Sequence, residues 1–279
     1  STGTTQTNGL SYSVTFNGTN KVSTVVLSGG SLTASAAQTL VNGIQYQNTS
    51  LDDPTSGSRV VTLTQLVDSG SNVAPNSNTA TLSIASTVTV TPINDAPTLS
   101  ATASNPTFTE GSGSGVQGSA VSVFSGASVS TVEAGQTIAG LTFTVSGVVD
   151  GTNEKIIVDG TTLTLSSGST GTTQSNGLSY SVTFNGTSKV STVVLSGGSL
   201  TASAAQTLVN GIQFYYVNQY IPTAGTRGFT ITQISDSGSS AAPNVNTAAL
   251  GLSSTILVKV QTENLPPDFP VSPTSPIGR

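Results

Sequence analysis

Leu178-Ser-Tyr-Ser-Val-Thr-Phe184 runs through Asn185-Gly186 into Lys189-Val-Ser-Thr-Val-Val-Leu195. In an extended chain Leu178, Tyr180, Val182 and Phe184 point to one side, and Ser179, Ser181 and Thr183 to the other. Alternation on both sides of an Asn-Gly pair reads as a β-hairpin. The same hairpin occurs at residues 10–27 around Asn17-Gly18. It belongs to a much longer duplication. Residues 1–46 return as 169–214, and only Thr7/Ser175, Asn20/Ser188 and Tyr46/Phe214 differ. The offset from Ser1 to Ser169 is 168 residues, too long for a small solenoid unit and about right for one domain.

Outward from the hairpin the β pattern continues. Leu141-Thr-Phe-Thr-Val145 alternates, and Ile156-Ile-Val158 leads through Asp159-Gly160 into Leu163-Thr-Leu165. Val60–Thr64 has its counterpart in Phe229–Thr232, and Ala80–Val90 in Ala248–Val258. One segment breaks the pattern. Ser199–Gly211 places Leu200, Ala204 and Leu208 at spacings of four, with Ile212 following. Ser203-Ala-Ala-Gln206 fits a capping box and Gly211 a helix stop, so a short helix is expected there, and again at residues 31–43.

Composition supports this class. The 279 residues include no Cys, His, Trp or Met; 7% are charged and 35% hydrophobic. Thr and Val suit a pleated, half-buried surface, and Gly and Asn suit tight turns. A net charge of −5 offers no basic patch to neutralise phosphates, so nucleic acid is not an expected partner. No apolar run reaches the roughly 20 residues that a membrane-spanning helix needs, so membrane insertion is not expected. Without a signal sequence or an initiating Met, the chain reads as a mature form or an excised piece.

Proline marks the boundary. Thr87-Val-Thr-Val-Thr-Pro-Ile-Asn-Asp-Ala-Pro97 ends a strand and enters a stiff polar junction, because Pro92 and Pro97 fix φ and remove donors. The expected division is 1–96, the C-terminal part of a truncated repeat; 97–266, a complete repeat; and 267–279, a proline-rich extended tail. The first copy then lacks the counterpart of residues 98–168, including the strands at 141–145 and 156–165. Such a piece would expose apolar sheet faces and unpaired edges. Either it comes from a longer array that tolerates this, or another molecule supplies the strands.

Leu40–Thr64, the Asp68-Ser-Gly70 turn, Val88–Pro97 (VTVTPINDAP) and Pro106-Thr-Phe-Thr-Glu110-Gly111 together resemble the cadherin-like, immunoglobulin-like tandem repeats of large bacterial surface and secreted adhesins. The resemblance covers nearly the whole chain except the tail. It implies a β-sandwich module, so with the patterns above the expected fold is an all-β chain of tandem immunoglobulin-like or cadherin-like β-sandwich repeats with one short helix per repeat. It also implies an extracellular, cell-surface location and roles in attachment, biofilm cohesion or extension. Repeats of this kind often hold Ca²⁺ at domain junctions through hard oxygen ligands. The matching residues are Asn94 and Asp95 in the linker, Glu110 in the opening strand and Asp68 in the DSG turn, with Asp236 its equivalent at the far end. Asx-turn capping by the same side chains is the competing reading. The junction also has one Asp where cadherins cluster several.

Without His or Cys there is no Ser-His-Asp or Cys-His nucleophilic site and no usual zinc site. The close carboxylate pairs, Asp52-Asp53 and Asp150/Glu154, read as ordinary solvated turns rather than a glycosidase pair. No catalytic residue is therefore expected. Phe214-Tyr-Tyr-Val-Asn-Gln-Tyr220 carries four aromatics against one in Tyr46–Asp52, which reads as added core packing or a sugar-stacking patch. The expected function is a non-enzymatic adhesive or structural repeat segment. Its partners would be other copies of the chain, surface glycans or host material. The alternative is a self-assembling extracellular filament subunit whose neighbour completes the N-terminal half-domain.

Overall fold

The structure, a computed structural model, describes residues 1–50, 54–111, 116–166, 168–217 and 221–261. Asp52, Asp53, Tyr220 and the tail expected at 267–279 lie outside the described residues. The chain divides into two units, Ser1–Pro92 and Ile93 onward, and is mostly β-sheet.

The first unit holds β1 (Thr2–Thr4), β2 (Ser11–Asn17) and β3 (Val22–Ser28), helix α1 (Ala34–Asn42), β4 (Gly57–Val67) and β5 (Thr79–Val90). β1, β2 and β3 form one antiparallel sheet in that order, and β4 and β5 form a separate two-stranded one.

The second unit begins with β6 (Thr98–Ala103), β7 (Thr107–Thr109), β8 (Val121–Ser122), β9 (Phe124–Ser130) and β10 (Ile138–Ser146). A single 3₁₀ turn at Gly151–Asn153 leads into β11 (Glu154–Val158) and β12 (Thr161–Thr164). The repeated sequence then supplies β13 (Ser169–Thr172), β14 (Ser179–Asn185), β15 (Val190–Ser196), α2 (Ala202–Asn210), β16 (Gln213–Tyr216), β17 (Gly225–Asp236) and β18 (Thr247–Lys259). A seven-stranded sheet runs β13-β14-β15-β10-β17-β18-β7, a four-stranded one β12-β11-β16-β8, and β6 pairs with β9.

Period-two alternation builds the core of the second unit. Ile138, Leu141, Phe143 and Val145 of β10 are buried, as are Ile156 and Val158 of β11. On β17 the buried set is Arg227, Phe229 and Ile231, then Ile234 and Asp236. The change of parity falls at a β-bulge between Ile231 and Gln233. An extra residue there returns the next apolar side chain to the core face. The first unit carries the same irregularity between Leu63 and Gln65, so the bulge belongs to the β4–β5 and β17–β18 hairpins themselves. Phe229 packs its ring on Phe143 at 4.7 Å and edge-on to Phe124 at 5.6 Å. Phe108 of β7 meets Phe214 of β16 at 5.7 Å, joining the two larger sheets through one core.

Some expectations shift. The helix is present, but its cap is Thr201, whose Oγ1 accepts from Ala204 N at 3.1 Å, and not Ser203. Its buried side chains are Ala205, Leu208 and Val209. Gly211 ends it with an ordinary negative φ of −85° while its N–H reaches Thr207 O and Leu208 O. The hairpin connection is four residues, not a two-residue Asn-Gly turn. Asn185 Oδ1 accepts from Thr187 N at 3.0 Å and Ser188 N at 3.1 Å, and Lys189 takes the positive φ of 56°. Phe214 and Tyr216 are core residues.

The two copies share sequence but not environment. Val193 is fully buried and its copy Val25 is 58% exposed; Ile212 is fully buried and Ile44 is 48% exposed. Leu195 and Val209 are buried, while Leu27 and Val41 are exposed. The cause lies in topology. In the second unit β10 sits between β15 and β17, bonded to both. Among the described residues their copies β3 and β4 have no strand between them, and each ends its sheet at an unpaired edge. Residues 45–48 form no strand, whereas β16 at the matching position pairs with β11 and β8. A four-residue strand without partners does not persist.

Candidate functional site

Ile93–Pro97 opens the second unit outside any strand or helix, leading into β6. Asn94 within it is buried and heavily bonded. Its N–H donates to Asn244 Oδ1 at 2.8 Å, and its carbonyl accepts from Val245 N at 2.8 Å. Its amide nitrogen donates to Val245 O at 2.8 Å, Ser239 O at 3.3 Å and Asp236 Oδ1 at 3.4 Å. Gln136 donates to its side-chain oxygen. The neighbouring Asp95 N–H donates to Glu133 Oε1 at 2.6 Å. Asp236 ends β17, and its Oδ1 also accepts from Gly238 N at 2.8 Å in an Asx turn. Gly238 is required here, because a Cβ at that position would lie 1.8 Å from Asn94 Oδ1.

The second carboxylate oxygens of Glu133 and Asp236 and the side-chain oxygen of Gln136 are buried without a hydrogen-bond partner among the described residues. Buried oxygens left unpaired carry a desolvation penalty that a cation would relieve. The donors are the hard oxygens that Ca²⁺ takes, but three free oxygens fall short of its six to eight ligands. No group of three or more acidic residues suited to a metal occurs among the described residues.

Of the five residues expected to hold calcium, the structure brings Asn94, Asp95 and Asp236 together. Asp236, expected at the far end, lies instead beside the linker that opens its own unit. Glu110 goes elsewhere: its N–H donates to Lys259 O and its Oε2 accepts from Gln261 N at 3.2 Å. Lys259 ends β18 and Thr247 starts it beside Ser235, so Glu110 is about 40 Å from Asp236 along the strand at ~3.3 Å per residue. Asp68 belongs to the first unit, where its Oδ1 accepts from Gly70 N at 2.7 Å. Sequence reading missed Glu133 and Gln136, which no motif flagged.

Asp150 and Glu154 are not a solvated turn. Arg227 of β17 is buried beneath them, donating to Glu154 Oε1 from Nε at 2.9 Å and from Nη2 at 2.6 Å. The same Nη2 reaches Asp150 Oδ2 at 3.1 Å and Thr223 O at 3.1 Å. Glu154 is completely buried and Asp150 nearly so. Burial pushes the Glu154 carboxyl above its ordinary value, against the opposing pull of Arg227. The same surroundings raise Tyr216, again chiefly by burial. With one carboxylate clamped by a guanidinium and closed to solvent, the pair serves to tie β17 to β11. Asp159 does similar work at the next turn: Thr173 Oγ1, Asn176 N and the Asn176 side-chain amide all donate to it.

Among the described residues no helix is long and apolar enough to cross a membrane. No protein-family model, no curated protein and no solved structure matches the chain.

Proposed function

We propose that the chain is a structural and adhesive segment of an extracellular tandem-repeat protein, built from immunoglobulin-like or cadherin-like β-sandwich units and acting without catalysis. One observation carries this reading. A 46-residue stretch differs at only three positions between copies, and in both copies it folds into the same hairpin and helix. Whole-domain copying lengthens a molecule and multiplies its surface, which serves attachment and reach. The buried carboxylates Glu154 and Asp159 support it further, because their hydrogen bonds brace strands and turns.

In this reading the free oxygens of Glu133, Gln136 and Asp236, grouped around Asn94 within the second unit, are where Ca²⁺ would bind, with water completing the shell. The test is display of the chain on non-adherent bacterial cells, scoring attachment to glycan-coated and cell-coated surfaces with calcium and with chelator. Attachment above that of cells without the chain is expected. Equal attachment, or glycan cleavage by the purified chain, would overturn the reading.

A further inference from the structure

We infer that the first unit is an acceptor for one particular segment: a further copy of the repeat's own β10–β12 stretch, with the sequence of residues 138–164, additional to the copy already folded in the second unit. This does not depend on whether the chain adheres to anything.

The apolar fit comes from the register. In the second unit Leu141 pairs with Leu195 and Ile234, Phe143 with Val193 and Ile231, and Val145 with Ser191 and Phe229. The matching positions on the open edges are Leu27 and Leu66, Val25 and Leu63, and Ser23 and Val61. An antiparallel strand on that register satisfies two edges at once and covers exposed Val25, Leu27, Val61 and Leu66.

Polar complementarity makes the choice of occupant specific. Arg59 is the counterpart of Arg227. Its Nη2 donates to Thr55 O at 2.8 Å, as Arg227 donates to Thr223 O, but among the described residues its recorded partners are backbone carbonyls and no carboxylate. An incoming Glu154 equivalent would supply that carboxylate. Thr5 and Asn8 correspond to Thr173 and Asn176, which Asp159 holds. Thr5 Oγ1 already accepts from Leu10 N at 2.9 Å, as Thr173 Oγ1 does from Leu178 N at 2.9 Å. The frame on which Asp159 would close is therefore formed. A generic amphipathic strand would match the apolar face and leave both polar positions unanswered.

The segment folded in the second unit is already held there, bonded to β15 and to β17. Moving it would open one frame to close the other, so the occupant is a further copy.

The test uses the full 279-residue chain and a fluorescein-labelled synthetic peptide of residues 137–165, followed by anisotropy and by amide resonances. Saturation at one peptide per chain is expected, with resonance changes at β3 and β4 and none at β15 or β17. Glu154→Gln in the peptide, or Arg59→Gln in the chain, should weaken binding about 30-fold or more, as for a truncated buried charge pair. Arg59→Gln lies on an open edge, and the resonances report whether that variant is folded. A control peptide with Leu141, Phe143 and Val145 changed to Ser should not bind. Absence of binding, equal binding of the peptide carrying Glu154→Gln, or resonance changes confined to the second unit would each overturn the inference.

Discussion

Leu27 and Leu195 occupy the same place in the same repeated sequence, so replacing each with Ala separates environment from sequence. Leu195 is 2% exposed and lines the apolar space under α2 with Ile138, Leu200, Leu208 and Ile234. β10 holds it from one side and β14 from the other. A seven-stranded sheet cannot collapse into the space left by the lost side-chain carbons, so Leu195→Ala should lower stability by about 3–4 kcal/mol, transfer and cavity terms together. Leu27 is 40% exposed on an edge strand. No cavity can form against open solvent, and only the covered part of the side chain is lost, about 1 kcal/mol. A urea titration followed by resolved amide resonances of each unit reads both values separately. Two losses within about 0.5 kcal/mol of each other would refute the argument that burial of the repeated face differs between copies.

Breaking the buried charge pair with Glu154→Ala should destabilise the second unit by about 3–5 kcal/mol, because Arg227 is left buried and uncompensated. Arg59→Ala in the first unit should lower stability by less than about 1 kcal/mol, and the same urea titration compares them. The Glu154 carboxyl titrates above its ordinary 4.5, so the folded state keeps a proton that the unfolded chain has released. Its contribution to stability is therefore full below that value and declines as pH rises through the folded pKa. The stability difference between wild type and Glu154→Gln, measured from about pH 4 to pH 8, should fall over that window, and a constant difference would contradict it. Gly238→Ala should cost about 2 kcal/mol or more, since the new Cβ would overlap Asn94 Oδ1 at 1.8 Å. The copied change Gly70→Ala meets only Asp68 Oδ1 at 2.9 Å and should cost less, which thermal melts of the two variants can compare.

Much of the β pattern was legible in the sequence: the β14–β15 hairpin, Leu141–Val145 of β10, Ile156–Val158 of β11, Phe229–Thr232 of β17 and Ala248–Val258 of β18 all lie in strands, though the bulge after Ile231 breaks the period within β17. The helix was legible too, though its cap was placed two residues late, because Thr201 and Ser203 are chemically equivalent cap candidates. β7 was legible only through the resemblance, as the opening strand at Pro106–Glu110, and β6, β8 and β9 were not. They are short and rich in Ser, Ala and Thr, and they exist because neighbouring strands bond to them; β7 pairs in parallel with β18, from a site 150 residues away. β16 makes the point most clearly, since its counterpart at residues 45–48 forms no strand where β11 is absent. Repeat arithmetic did anticipate an exposed apolar face. The Asn94 and Asp236 grouping needed the fold, because the two residues are 142 positions apart. Arg227 escaped notice as a lone cation in a β-rich stretch, and with it went the true setting of Glu154.

Hydrogen exchange tests the open frame most directly. β4 at Gly57–Val67 and β17 at Gly225–Asp236 are matching strands with different sequences, so their peptides separate by mass where the identical Val22–Ser28 and Val190–Ser196 do not. Amides of β17 that bond to β10 should be protected to the level of global unfolding, while the corresponding β4 amides, bonded to no strand, should exchange near the rate of an exposed edge. Equal, slow exchange along both strands would mean that the first unit already holds the strand that this account says it lacks.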